Sequence, residues 1–171
     1  MTEVTAKVGY GQASVADVIR VAGISRKTFY ELFADKEECF LTAYDVLTSR
    51  VLGVLRATAA EMGSGPKRRR AQLATFIAIL RKDLAVARVF LVDVLGAGER
   101  ALERRQRVNA RFAEEFLGDL RIDATLEAAI VGGINSVIAG ALIEKRTPNL
   151  DSLVDPLAAF VERSLGRRAA R

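Results

Sequence analysis

The sequence predicts an all-α protein, on three observations. Apolar residues recur at helical spacing through most of the chain. The early runs open on Ser or Asp and the second one closes on Gly, as capped helices do. No segment alternates with the period of a strand, and a composition led by Ala, Leu, Val and Arg with no Trp favours helices over strands.

The elements follow in order. Thr2 to Val8 is a short helix ended by Gly9-Tyr10-Gly11. Ser14 caps the next helix, with Asp17 in capping-box position. Val15, Val18, Ile19 and Ala22 share one face of it, and Gly23 stops it in a left-handed conformation. Ser25 caps a third helix whose Phe29, Leu32 and Phe33 face inward, while Arg26, Lys27, Tyr30 and Glu31 project outward. Asp35 caps a long fourth helix, with Glu38 in capping-box position; Phe40, Tyr44, Leu47, Val51 and Leu55 carry its apolar stripe to about Ala60. Gly63-Ser64-Gly65-Pro66 is the clearest break. Helical patterns then cover roughly 67–81, 83–95, 99–119, 124–145 and 150–165, with Pro156 in the first turns of the last or kinking it. Two parts are expected: 1–45, and a larger helical body over 46–171.

Composition narrows the function classes. Half of the 171 residues are hydrophobic, so a sizeable core can be buried. The one cysteine, Cys39, excludes an internal disulfide and suits a reducing compartment. No signal peptide stands at the start, and the most apolar run, 128–143, is sixteen residues where a span needs roughly twenty. A cytoplasmic protein with no membrane partner is expected. There is no His, no cluster of metal ligands, no nucleophile–base pair and no phosphate-binding glycine loop. Neither an enzyme nor a cofactor is expected. Lys67-Arg68-Arg69-Arg70 reads as a solvated face, and Arg167, Arg168 and Arg171 as a frayed tail.

Two helices joined by a tight glycine turn can place the second in the major groove of DNA. Charge alone gives this idea no support. The chain is net +5, but residues 1–45 hold five Lys or Arg against seven Asp or Glu, so the positive excess lies elsewhere. Placement matters more than the total. Arg26 and Lys27 can donate to guanine or to phosphate, and Thr28 and Tyr30 carry hydroxyls suited to phosphate. Ser14, Ser25 and Lys36 sit at helix N-termini, where free amides also favour an anion.

The stretch SVADVIRVAGISRKTFYELFADKEECF resembles the N-terminal domain of the tetracycline-repressor (TetR) family of bacterial regulators. The resemblance covers about residues 9–45. It rests on Ser14, Ala22-Gly23-Ile24-Ser25, Thr28-Phe29-Tyr30, Phe33, Asp35 and Lys36-Glu37. It implies an N-terminal helix-turn-helix DNA-binding domain followed by a helical effector-binding and dimerisation domain. It also implies a homodimer, built through the last two helices, that places two recognition helices in successive major grooves of a near-palindromic operator, roughly 34–36 Å apart. Carried over by position, Arg26, Lys27 and Thr28 lie nearest the bases, while Ser14, Ser25, Tyr30 and Lys36 hold phosphates. Relatives often carry His where this chain has Leu32, whose packing should make the change mild. They also have a fuller first helix than Thr2 to Val8. A ligand-responsive repressor is the reading; a dimeric small-molecule-binding protein with a disabled reading head is the alternative.

The body carries two further expectations. Gly132, Ser136 and Gly140 recur every four residues, a stripe that admits a neighbouring helix closely. The resemblance places an effector pocket among the middle helices. Phe76, Phe90 and Phe112 are candidate lining, together with Leu80, Leu91 and Phe116, and Asn109 is a polar handle for a hydrophobic small molecule. Asn135 is expected to be a hydrogen bonder in the core or at an interface.

Overall fold

A computed structural model describes residues 1–144 and 148–166, and within them the chain is helical, with no strand. The order is α1 (Thr2–Val8), α2 (Val15–Ala22), α3 (Arg26–Leu32), α4 (Lys36–Met62), α5 (Pro66–Lys82), α6 (Leu84–Leu91), α7 (Glu99–Leu117), α8 (Ala124–Glu144) and α9 (Val154–Gly166). Short 3-10 turns at Asp93–Gly96 and Leu150–Leu153 follow α6 and precede α9. The expected tail of Arg167, Arg168 and Arg171 lies outside the described residues.

Local chemistry sets the first boundaries. Ser14 Oγ accepts from the Asp17 amide at 3.2 Å and the Asp17 carboxylate accepts from the Ser14 amide, a closed capping box. Gly23 ends α2 at φ 66°, ψ 29°, the left-handed region that glycine enters without a Cβ penalty. Ser25 caps α3 through the Thr28 amide, and Asp35 caps α4 through the Glu38 amide at 2.7 Å. The Glu38 carboxylate accepts from Ala34 rather than from Asp35, so this second box is displaced by one residue.

Further along, two expected helices divide. The run expected at 83–95 ends as α-helix at Leu91. The Leu95 amide then bonds back three residues to Val92, and the tighter coil runs into Gly96. The last helix likewise begins as a 3-10 turn. Pro156 is the third residue of α9, inside the first turn, where its missing N–H leaves no bond unmade.

Two apolar clusters hold these helices. The smaller joins Val4, Ala13, Val18, Phe29 and Cys39. The larger runs from Phe40, Leu41 and Tyr44 of α4 through Ile77, Leu117, Ile130, Ile138 and Leu142 to Leu157 and Val161. Met1 packs against both, and Ala6 and Tyr10 against the larger. One helix, α4, therefore contributes to both cores.

Two sequence expectations fail here. Leu32 does not pack: it is 62 % exposed. α3 is only seven residues long, and its inward arc is filled by Phe29 and Phe33. The basic run after the break is only partly a solvated face, because Arg68 and Arg69 turn inward. Arg69 is buried and grips Glu162 of α9 with two bonds, Nε to Oε1 at 2.8 Å and Nη2 to Oε2 at 3.0 Å. Its Nη1 lies 3.5 Å from Asp119. Arg68 pairs with Asp119 at 2.7 Å and donates to the Phe116 carbonyl, and Arg70 pairs with Asp155. Lys67 and Arg70 fit the solvated reading: both are exposed, and the Arg70 pair lies at the surface. The run ties the start of α5 to α9 and to the end of α7.

α8 buries Ile130, Ile134, Ile138 and Leu142, yet Val137 and Ile143 stay exposed, and Ser136 with them. At 21 residues, with a mean hydropathy of 1.8 over its most apolar window, it is long and apolar enough to cross a membrane.

Candidate DNA interface and effector cavity

The predicted DNA contacts occupy α3 and the N-termini of the helices around it. Phe29 is fully buried and meets Phe33 and Tyr30 ring to ring at 5.4 and 5.3 Å, fixing the rotation of α3. That rotation leaves Arg26, Lys27 and Tyr30 exposed on the outer surface. Lys27 lies 3.8 Å from Glu31 one turn on, an exposed pair that holds its ammonium only weakly. The Ser25 and Thr28 hydroxyls are 2.9 Å apart, so both are tied to the helix start. The Ser14 hydroxyl donates to the Asp17 carboxylate; this bond and the Arg20 pair at 2.6 Å hold the Asp17 carboxyl below its ordinary value.

Lys36 is more engaged than the sequence suggested. Its Nζ donates to the Tyr10 carbonyl at 3.1 Å and lies 4.3 Å from the centre of the Tyr10 ring, which in turn packs on Phe40. An ammonium has three protons, so two remain for a phosphate. Burial pushes the Tyr10 phenol and the Cys39 thiol up, so both stay neutral near pH 7. Beside these residues, α1, α2 and α4 leave an open groove of about 390 Å³, bordered by Met1, Val18, Phe29, Cys39 and Val46.

A second locus lies in the body. A cavity of about 30 Å³, within about 360 Å³ of unfilled space partly open to solvent, is lined by Leu55, Gln72, Phe76, Phe112, Phe116, Ile134 and Asn135, among others. Of the four candidate ligand residues, Phe76 and Phe112 line it, with ring centres 5.5 Å apart. Phe90 and Asn109 stand outside its wall. Phe90 is wedged between Tyr44 and Phe112. Asn109 Oδ1 accepts from Asn135 Nδ2 at 3.0 Å, so the polar handle on the wall is Asn135.

Sequence reasoning missed Gln72, which is 1 % exposed and lines the cavity. The signal was present. Gln72 belongs to the buried arc of α5, with Leu73, Phe76, Ile77 and Leu80.

α7 joins the two loci. Near one end Arg100 pairs with Glu37 at 3.0 Å and approaches Asp35 at 3.6 Å, while Arg104 pairs with Asp45, all at the start of α4. Near the other end Phe112 and Phe116 form cavity wall.

Comparison with known proteins gives three findings. Residues 2–43 match the family model described as bacterial regulatory proteins, tetR family. No curated protein matches the chain in sequence. Several solved structures share its fold. The transcriptional regulator FadR from Bacillus subtilis, in complex with stearoyl-CoA, superposes with a TM-score of 0.82 at 15% identity, covering 92% of this chain and 91% of that one. The fatty acid degradation regulator FadR from Bacillus halodurans gives 0.81 at 19% identity over the same shares. A tetR-family regulatory protein from Rhodococcus RHA1 gives 0.72 at 16%, covering 95% and 91%.

Proposed function

We propose that the chain, whose residues 2–43 match the model of the tetR family of bacterial regulatory proteins, is a ligand-responsive repressor of that kind. In this reading it binds a near-palindromic operator as a homodimer in the cytoplasm. The observation that carries the reading is the fixed rotation of α3: Phe29 locks its inner side while Arg26, Lys27 and Tyr30 remain exposed. In this reading Arg26, Lys27 and Thr28 face base edges. Tyr30, Lys36 and the capped helix starts at Ser14 and Ser25 hold phosphates. The dimer would form through α8 and α9, where the exposed Val137, Ser136 and Ile143 offer an apolar, small-residue surface to a second copy.

The effector would be a hydrophobic small molecule seated against Phe76 and Phe112. Its binding free energy would act through α7. Displacing Phe112 or Phe116 shifts the helix whose Arg100 and Arg104 hold α4, and so changes the spacing of the two reading heads. The net acidic head and the open groove beside Val18 and Phe29 favour a second reading, a dimeric ligand-binding protein that does not read DNA.

The test is titration of the purified protein against the intergenic DNA upstream of its own gene at two salt concentrations. Specific binding that weakens with salt is the expected result. No preference over random DNA would overturn the regulator and leave the second reading.

A further inference from the structure

We infer that the body cavity selects a neutral ligand that presents a hydrogen-bond donor, such as the hydroxyl of an apolar alcohol, and that Gln72 Oε1 is the acceptor. The inference rests on the reading of this cavity as the effector site. Gln72 Nε2 donates to two backbone carbonyls, Leu55 of α4 and Glu115 of α7, each at 3.2 Å. Only an NH2 group can serve two carbonyls, so the orientation of the amide is fixed and the other atom is the carbonyl oxygen. That oxygen is buried and has no partner. With its donor side turned to the helix backbones, the carbonyl is what the amide has left to offer the cavity.

A buried acceptor without a partner is costly, and a ligand donor would relieve it. The enclosed volume of about 30 Å³ has room for a water-sized group, and the partly open space beyond it can take an apolar chain. The charge of the wall decides the class. Its named residues include no Lys or Arg, so a carboxylate would lose its hydration and meet the Gln72 carbonyl without a counter-charge. A methyl-ended chain would enter but leave Oε1 unpaired.

Three probes that share an eight-carbon chain separate these cases: n-octanol, its methyl ether and octanoate, titrated by calorimetry into the wild-type protein and into Gln72→Met. The wild type is expected to bind the alcohol about tenfold more tightly than the ether, the effect of one buried donor–acceptor pair. Octanoate should bind no better than the ether. In Gln72→Met the alcohol-to-ether ratio should fall close to one. The ratio is taken within one protein, so a general loss of stability in the variant leaves the comparison intact. Equal binding of alcohol and ether to the wild type, tighter binding of octanoate, or an unchanged ratio in the variant overturns the role of Gln72 and leaves the effector cavity standing. Binding of none of the three removes both the inference and the cavity reading beneath it.

Discussion

Replacing Arg69 with Met removes the cation that joins α5 to α9. Arg69 has 5 % of its side chain exposed and holds Glu162 with two bonds of 2.8 and 3.0 Å. Its loss leaves Glu162 and Asp119 without that cation, although Asp119 keeps Arg68. Breaking a buried pair from one side costs about 3–5 kcal/mol. Glu162 keeps about a third of its side chain in water, so solvent screening lowers the expectation to about 2–3 kcal/mol. For a domain of this size that corresponds to a Tm lower by roughly 4–12 °C. The assay is thermal and urea unfolding of wild type, Arg69→Met, Glu162→Leu and the double variant, at one protein concentration because dimerisation would shift Tm. The double variant should recover part of the loss, with a coupling of at least about 1 kcal/mol, since removing both charges restores neutrality. Additive losses, with coupling inside about 0.5 kcal/mol, would refute the claim that these two residues act as one clamp.

Four further outcomes are expected. Burial pushes the Tyr44 phenol from 10.0 up to about 12, so between those values the unfolded chain releases a proton that the folded chain keeps. Stability is full below pH 10 and should fall by about 2–3 kcal/mol as pH rises through the folded value, a drop that Tyr44→Phe should abolish in alkaline urea titrations. A Cβ at Gly23 meets nothing within 4 Å, so Gly23→Ala carries only the left-handed backbone cost of about 1–2 kcal/mol; a Tm equal to wild type would contradict that conformation. Lys36→Ala should weaken binding to specific and random DNA alike and reduce the salt slope by about one, whereas Arg26→Ala should change the preferred sequence; identical effects from the two would disprove the division of roles. Arg104→Leu should leave operator affinity within a few-fold and reduce the effector's ability to release DNA; undiminished release would show that α7 does not carry the signal.

What the sequence revealed was local chemistry. The capping of Ser14 by Asp17, the left-handed Gly23 and the starts at Ser25 and Asp35 each depend on residues within four positions of one another, and the structure has them as read. What escaped was decided at a distance. Arg68 and Arg69 looked solvated because their partners Asp119 and Glu162 stand about 50 to 90 residues away in the chain. Leu32 looked internal because periodicity marks a face but not how many neighbours a short helix has to cover it. The cavity wall was half legible. Phe76 and Phe112 were identifiable as aromatics on helical stripes, but Phe90 and Asn109 sit one layer behind it, a distinction that depends on how α6 and α7 are rotated.

The continuity of α4 bears on how the protein can be divided. Its 27 residues run about 40 Å without a joint, and the expected boundary at 45 falls inside it, past Phe40, Leu41 and Tyr44, which already belong to the large core. Met1, Ala6 and Tyr10 rest on that same core from the N-terminal side. The first 45 residues are therefore not a cassette that can be grafted onto another regulator's body. Under the proposed function, a working chimera has to carry α4 whole, together with the α6 surface that α1 leans on, and new operator specificity is to be sought at the exposed positions of α3 rather than in a foreign head.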